Sequence, residues 1–497
     1  MNSDIKQIFD MILSFHNVAD NSELLSVILT KMMEITNSDA GTLYRVKDGK
    51  LHFSIIRNIS LGTFQEGDID LPPIEIDESN IDNVSSYVAI KNEIVVIDDV
   101  YKDEKFCFEG PKRYDELTGY KTKSMLAVPL VTEWVRPPDV VGVIQLINAK
   151  DPKTGEIVSY GNIYDPPIVP SISKIAANTL ANQLYLNETI ELFKSIVAVV
   201  TQAMDERSAY NNIHTQNVAR YVTDFAIYLT ERFPEDHKLN FNDTRLEQIT
   251  MAALLHDIGK LVTPLTIMDK ETRLGENLNE LLYKFDIKFL QLENEHLRGK
   301  LDEKEYDRQV SIHKNALKTI QFLNKVQFLG ADDIDKVEIL RDLKFIGRDG
   351  KPESLLTKYD MDALRIHRGT LTEAERRIMQ DHALHTARLL EKITVWKYFS
   401  DVPKWAKDHH EFLDGSGYPR NLEGDDIALE TRVITIADIF DALTAADRPY
   451  KKAVSIEKAI VILRDMAKEG KLDSELVELF VESQIWLKSG HGVFLSA

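Results

Sequence analysis

The 497-residue chain is poor in cysteine, in basic charge and in long apolar runs. Its one cysteine, Cys107, cannot close an internal disulfide, so no oxidising compartment has left a mark. Lys and Arg total 60 against 80 Asp and Glu, a net charge of −20. That balance argues against a general binder of nucleic-acid polymers and against docking on an anionic membrane. It leaves room for a small anionic substrate, which responds to the local field of its pocket. No run of about 18 uncharged apolar residues occurs, so no membrane span is predicted. Asp4, Lys6 and Asp10 interrupt what would be the apolar core of a signal peptide. A cytoplasmic enzyme or sensor is therefore expected. The apolar fraction of 43% is ordinary for a globular protein, and the length calls for two or three domains.

Residues 1–168 mix helix and strand signals. Apolar residues recur at helical spacing in 8–13 and 24–35. Strand-like runs follow: Thr42-Leu43-Tyr44-Arg45-Val46, Ile94-Val95-Val96-Ile97, and residues 124–130 and 140–147. The last two read as a late hairpin joined by a polar, proline-bearing loop. The prediction is an α+β domain with a central antiparallel sheet and helices. The prolines at 166, 167 and 170 punctuate the chain, and a linker or signalling helix is expected over 169–203. Its apolar positions include Ile172, Ala176, Leu180, Leu184, Ile190, Phe193, Val197 and Val200. That spacing suits either packing against a second copy in a homodimer or packing on its own domain. From 204 to 497 the signals are almost all helical, so an all-α domain is expected. A charged helical insertion at about 265–370 holds a helical hairpin and a turn-rich segment around Gly347 and Gly350.

The densest chemistry lies in Asp408-His409-His410-Glu411-Phe412-Leu413-Asp414-Gly415-Ser416-Gly417-Tyr418-Pro419. Adjacent imidazoles suit a core poorly, since each has two ring nitrogens to satisfy. They suit a metal, which takes neutral imidazole nitrogens. A second pair, His256-Asp257, lies far upstream after an apolar helical run. A two-metal hydrolase needs several imidazoles and a bridging carboxylate, so that cations can sit roughly 3.5–4 Å apart. His214, His256, Asp257, His382, His409, His410 and Asp438 are the candidates. Taken singly, His214 and His382 read more readily as surface or capped core residues, and His385 competes with His382. Asp438 differs, because an acid within the apolar helix of residues 434–443 is costly to bury unless paired or metal-bound. Asp441, one turn on, either supports the ligands from behind or caps.

The N-terminal segment resembles a GAF domain. The residues that carry the resemblance are Asp39-Ala40-Gly41-Thr42-Leu43-Tyr44, Ile97-Asp98-Asp99-Val100, residues 124–130, and Gly142 through Asn148-Ala149-Lys150. The resemblance is specific for the fold, not the ligand, because family members bind cyclic nucleotides, haem, bilins or nothing. Some nucleotide-binding members carry Asn-Lys…Phe…Asp after the last strand. Here Ala149 separates Asn148 from Lys150, and the later pair is Tyr164-Asp165. A dimerising or protein-contacting domain is the favoured reading over nucleotide binding.

Residues from about 204 to 485 resemble an HD-GYP domain, a subgroup of the HD metal-dependent phosphohydrolases. The naming motifs are His256-Asp257 with Ile258-Gly259-Lys260, and His409-His410-Glu411 with Asp414-Gly415-Ser416-Gly417-Tyr418-Pro419. Residues 371–375 leading to His382, Asp438 to Leu443, Asp447-Arg448-Pro449-Tyr450-Lys451 and Gly470-Lys471-Leu472-Asp473 also agree. The resemblance implies hydrolysis of cyclic di-GMP to pGpG, sometimes on to GMP, with iron or manganese as the usual metals. Carried over by position, one site takes His214, His256, Asp257 and Asp438. The other takes Asp257 as the bridge with His382, His409 and His410.

Asp257 and Lys260 are the expected catalytic residues. Lys260, one turn beyond the His-Asp pair, suits a phosphate oxygen or the orienting of the nucleophile; its plainer reading is a solvated lysine at a helix end. Arg448 and Lys451 are the candidate phosphate contacts, Arg448 because its fork can hold two oxygens. Tyr418 packs against a guanine or only against its loop. Members with a third metal place a glutamate where this chain has Tyr210, so two metals are expected, with Asp205 and Glu206 out of register. Two rival readings stand beside the phosphodiesterase. One is a catalytically silent cyclic-dinucleotide receptor or adaptor, with a diguanylate cyclase among its possible partners. The other is an HD-class hydrolase of another cyclic dinucleotide.

Overall fold

A computed structural model describes residues 21–67, 69–132, 139–162, 168–207, 213–326, 328–393, 399–445 and 454–487. The chain divides into two compact units, Met1–Leu192 and Phe193–Ala497.

The first unit is built on an antiparallel sheet. Helix α1 (Asn21–Ile35) precedes strands β1 (Ser38–Lys47), β2 (Lys50–Asn58), β3 (Thr63–Glu66) and β4 (Ile74–Glu75). Helix α2 (Val84–Lys91), β5 (Val95–Ile97), α3 (Glu109–Thr118), β6 (Met125–Thr132), β7 (Asp139–Lys150) and β8 (Ile157–Val158) complete it. The strand order is β3-β2-β1-β7-β6-β5, with β4 on β2 and β8 on β7. β1 and β7 form the middle of the sheet, in the register Leu43 opposite Ile144. β7 reads as a near-continuous apolar run, as expected for a strand covered on both faces. Leu24, Ile28, Leu29 and Met32 recur at helical spacing, and this buried face of α1 packs on the sheet. At Gly41 a Cβ would come within 2.9 Å of Leu29 Cδ1 and 3.2 Å of Met33, so those side chains would have to shift to admit one.

The Asn148-Ala149-Lys150 run is used internally. Asn148 Oδ1 accepts from the Lys123 and Ser124 amides at 2.7 and 3.3 Å, and its Nδ2 donates to Tyr120 Oη at 2.9 Å. Lys150 is paired with the buried Asp39, which also accepts from Ser60 and Tyr120 at 2.8 Å each. Neither side chain of the run is left over for a ligand phosphate. The expected helix over 8–13, the hairpin loop and Tyr164-Asp165 lie outside the described residues.

Between β1, β2, α2 and α3 lies a cavity of about 390 Å³. Several of its polar lining groups have partners within the protein. Tyr44 donates to Gln145, Thr122 to Asp115 and Arg57 to Thr30, at 2.8, 2.8 and 2.6 Å.

Helix α4 (Ile168–Arg207) follows. Ile172, Ala176, Ala177 and Leu180 complete the core of the first unit. Among the described residues no helix is long and apolar enough to cross a membrane.

The second unit is helical: α5 (His214–Arg232), α6 (Asp243–Leu255), a 3-10 turn (Ile258–Val262) and α7 (Leu265–Met268). The hairpin of α8 (Asn277–Leu297) and α9 (Glu303–Lys325) comes next, then α10 (Ala331–Leu340) and α11 (Lys358–Leu364). Their core includes Leu281, Phe285, Ile320, Leu323 and Leu364. A small ribbon of β9 (Lys344–Ile346) and β10 (Pro352–Ser354) interrupts the all-α pattern at the turn-rich segment. Helices α12 (Glu373–Gln380), α13 (His382–Leu390), α14 (Val402–Lys407), α15 (Leu429–Thr444), α16 (Ile456–Lys468) and α17 (Ser474–Ser483) complete the unit. Lys270 fastens the insertion to the start of α12. Its ammonium sits 2.9 and 2.8 Å from the two oxygens of Glu375, which also accepts from Tyr359 at 2.7 Å and from the Thr372 amide at 2.8 Å.

Candidate metal centre

Each candidate ligand stands at the end or on the inner face of a helix. His214 opens α5, His256 and Asp257 follow α6, His382 opens α13, His409 and His410 follow α14, and Asp438 lies within α15. Helix α5 packs on α6 and α15, and α14 packs on α6 and α13. Backbone contacts set the register. A Cβ at Gly259 would lie 1.9 Å from the His382 carbonyl oxygen, so the start of α13 rests directly on the turn after Asp257. Thr386 joins the same two segments: its Oγ1 accepts from the Gly259 amide at 3.0 Å and donates to the His256 carbonyl at 3.0 Å. Thr435 donates to the His409 carbonyl at 2.7 Å, which ties α15, and with it Asp438, to the double histidine.

The side chains converge as two groups. Asp257, His382, His409 and His410 form one, and His214, His256 and Asp438 the other; within each, the donor atoms lie within 4.8 Å of one another. Asp257 stands between them. Its Oδ1 is 3.3 Å from His382 Nε2 and 3.8 Å from His409 Nε2. Its Oδ2 is 3.3 Å from His256 Nε2 and 3.5 Å from His214 Nε2, and it pairs with Lys260. His214 Nε2 is also 3.3 Å from Asp438 Oδ1.

The imidazoles are oriented from behind. Nδ1 of His256, His382 and His409 lies 2.6, 2.6 and 2.7 Å from the carbonyl oxygens of Ala253, Met379 and Ala406. A carbonyl can only accept, so each Nδ1 carries the proton and each Nε2 presents a lone pair. Those three Nε2 atoms and Asp257 Oδ1 are buried without a hydrogen-bond partner. Leaving such a group unpaired costs on the order of 1–3 kcal/mol. Such unpartnered atoms in both groups are what bound cations would satisfy. Neutral imidazole and carboxylate suit a first-row transition metal such as iron, manganese or zinc. The residues therefore fit a metal centre. His214 is held differently, with Nδ1 2.6 Å from Asp441 Oδ2. Asp441 thus supports a candidate ligand from behind.

Except at His214, whose three carboxylate neighbours favour its charged form, the charges agree with that chemistry. Burial opposes ionisation of Asp257, but Lys260 and the neighbouring imidazoles hold its carboxyl well below the ordinary range. Burial likewise opposes charge on Asp438, and the His214 contact outweighs it. Burial keeps His382, His409 and His410 below the ordinary histidine range, in the neutral form a metal requires. For His214, burial lowers and three carboxylates raise, with the carboxylates prevailing.

The glycine-rich loop shapes one wall. Gly417 approaches the backbone of His410 and Phe412 so closely that a Cβ would meet it at 2.4–2.6 Å. Glu411 accepts from the Arg420 and Leu422 amides at 2.6 and 3.0 Å, and Asp408 pairs with Arg420. These two acids hold the loop. The Tyr418 ring lies 4.7 Å from the His410 ring, at the centre rather than only against its loop. Lys260 is mostly buried against Asp257 and is not a solvated lysine. Arg448, Lys451 and Tyr210 lie outside the described residues. Of two further residues near the centre, Asp205 reads from sequence as out of register and Arg207 carries no signal there. Asp205 is buried, accepts from Thr215 at 2.7 Å and leaves Oδ2 without a partner. Arg207 reaches the backbone after Lys260. Both lie at the end of α4, where a charged side chain reads as surface.

Comparison with known proteins finds three family matches along the chain. Residues 20–158 match the GAF domain family, 212–320 the HD domain family, and 359–476 a second HD domain family. The chain thus carries a GAF domain followed by an HD-type helical domain. It is 42% identical over 139 residues to the 3'3'-cGAMP-specific phosphodiesterase 3 of Vibrio cholerae, covering 28% of this chain and 27% of that one. It is 33% identical over 170 residues to the cyclic di-GMP phosphodiesterase response regulator RpfG of Xanthomonas campestris, covering 34% and 42%. The cyclic di-GMP phosphodiesterase of Thermotoga maritima is 32% identical over 152 residues, covering 30% and 37%. The chain spans between about a quarter and two-fifths of the length of these relatives.

Proposed function

We propose that the chain is a metal-dependent phosphodiesterase that hydrolyses cyclic di-GMP to linear pGpG, regulated by its GAF domain. The observation that carries the reading is Asp257, whose two oxygens face two separate groups of inward-pointing histidines. His214, His256 and Asp438 would hold one cation and His382, His409 and His410 another, with Asp257 shared; iron or manganese is the proposed pair. Bound there, the metals would polarise the phosphodiester and activate water at neutral pH. The chain's own side chains do the rest. Lys260, beside Asp257, would meet a non-bridging phosphate oxygen as negative charge develops. Tyr418, kept protonated by burial, can donate a hydrogen bond or stack on a base. Arg448 and Lys451 would take the second phosphate. Water's oxygen bonds to phosphorus, the P–O3′ bond breaks, and the 3′ oxygen leaves with a proton.

A second substrate is favoured by one observation. The Vibrio relative that is 42% identical is named for 3'3'-cGAMP. Both molecules carry the same pair of diester phosphates and differ in one base. Rates of metal-loaded protein on the two, alone and in competition, decide between them. Tight binding of either without turnover would instead select the silent receptor.

The GAF cavity and the exposed face of α4 support regulation and a homodimer. Tyr185, Thr189, Leu192, Ile196, Val199 and Ala203 are all exposed and recur at alternating spacings of four and three. That spacing suits the seam of a two-stranded coiled coil, so a second copy of the chain is the proposed occupant.

A further inference from the structure

We infer that Arg207, at the end of α4, is a positioning residue for Lys260. The inference rests on the proposed reaction, but its geometry stands alone. The turn Ile258–Val262 that carries Lys260 is short and loosely covered, with Leu261 36% and Val262 53% exposed. One side of it is fixed by Gly259, which lies on the backbone of α13 and donates to Thr386. Arg207 holds the other side. Its guanidinium donates to the carbonyls of Lys260 at 2.9 Å, Leu261, and Thr263 at 3.2 Å. A planar fork with five N–H donors can serve several acceptors at once; an ammonium offers a single donor centre.

The same helix end grips a second segment. Asp205 accepts from Thr215, the residue after His214, at 2.7 Å. Residues two apart on a helix do not share a face. The end of α4 is therefore fastened in two directions, to the start of α5 and to the turn behind Asp257. Among the described residues, Arg207's hydrogen bonds go to the backbone of that turn and to no candidate metal ligand. Its effect must pass through the 260–263 backbone, which sets where the Lys260 ammonium points. Without it, Lys260 can drift from the carboxylate it now pairs with, and a small misplacement of a catalytic group is expensive in rate.

The test uses the full chain, loaded with Mn²⁺, as wild type, R207A, R207K, K260A and the R207A/K260A double variant. Hydrolysis of cyclic di-GMP, metal content and amide hydrogen exchange are measured together. R207A should lower kcat/KM by roughly tenfold or more while its metal content stays that of wild type. R207K should fall between the two. In the K260A background, adding R207A should change the rate by less than about twofold, because the two residues act as one unit. The Lys260 and Thr263 amides, which bond to Asp257 and Lys260 carbonyls within the turn, should exchange faster in R207A and R207K. Equal rate losses from R207A in both backgrounds would overturn the inference, as would a rate loss tracked by metal loss. If wild type hydrolyses no cyclic dinucleotide, the functional reading fails and the exchange arm still decides this one. Unchanged exchange at the turn would then reject it.

Discussion

Asp441 offers the sharpest perturbation of the centre that leaves every candidate ligand in place. Its carboxylate is 2% exposed and lies 2.6 Å from His214 Nδ1. It fixes both the ring's orientation and its tautomer. Removing a partner that orients a metal-holding histidine costs roughly 10–100-fold in metal affinity, or about 1.4–2.8 kcal/mol. Asp441→Asn keeps an acceptor oxygen but loses the charge, and should fall near the tenfold end. Asp441→Ala leaves a buried N–H without a partner and should approach the hundredfold end. The loss should be confined to one ion, because Asp441 bonds to His214 and not to His382, His409 or His410. Titration of metal-free protein with Mn²⁺ by calorimetry, prepared anaerobically, separates the two sites. Wild-type affinity in Asp441→Ala, or equal weakening of both sites, would refute the reasoning.

Three further outcomes are expected. Gly259→Ala should destabilise the second unit by about 1–3 kcal/mol or more, because the new methyl meets the His382 carbonyl at 1.9 Å; denaturant unfolding measures it, and an unchanged midpoint would contradict the packing. Leu192→Glu with Ile196→Glu should convert a dimer to a monomer by light scattering, since both lie on the exposed seam of α4; a wild-type chain that is already monomeric would remove the seam's proposed role. Asp39→Asn should destabilise the first unit at neutral pH. Burial raises the Asp39 pKa, but Lys150, Ser60 and Tyr120 bring it below the ordinary 3.8. The carboxylate's contribution is therefore present above that value and lost as pH falls through the lower folded one. The calorimetric gap between variant and wild type should close in that acid range, and a gap independent of pH would contradict it.

Much of this arrangement is legible in the residues themselves. His409-His410, His256-Asp257 and Asp438 stand out because polar groups in apolar helical surroundings need a reason to be there. The apolar periods in 24–35 and 140–147 give the α+β unit its helix and central strand. Strand β2 does not announce itself, because His52, Ser54 and Arg57 break its alternation while it pairs along β1. Asp441 reads from sequence as either a cap or a supporting residue, since a one-turn spacing to Asp438 fits both; only its contact with His214, a distant residue in sequence, separates them. Asp408 and Glu411 look as metal-competent as their histidine neighbours, and only the folded loop turns them toward Arg420 and Leu422. Arg207 leaves no sequence trace because its partners are backbone carbonyls, which have no side-chain signature.

The most direct test is elemental analysis of anaerobically purified wild type beside Asp257→Ala, with circular dichroism to show that the variant folds. Two iron or manganese ions per wild-type chain, and almost none in the folded variant, are the predicted result. A variant that keeps the wild-type stoichiometry, or a wild-type centre that no added ion can fill, would contradict the shared carboxylate on which the proposed chemistry rests.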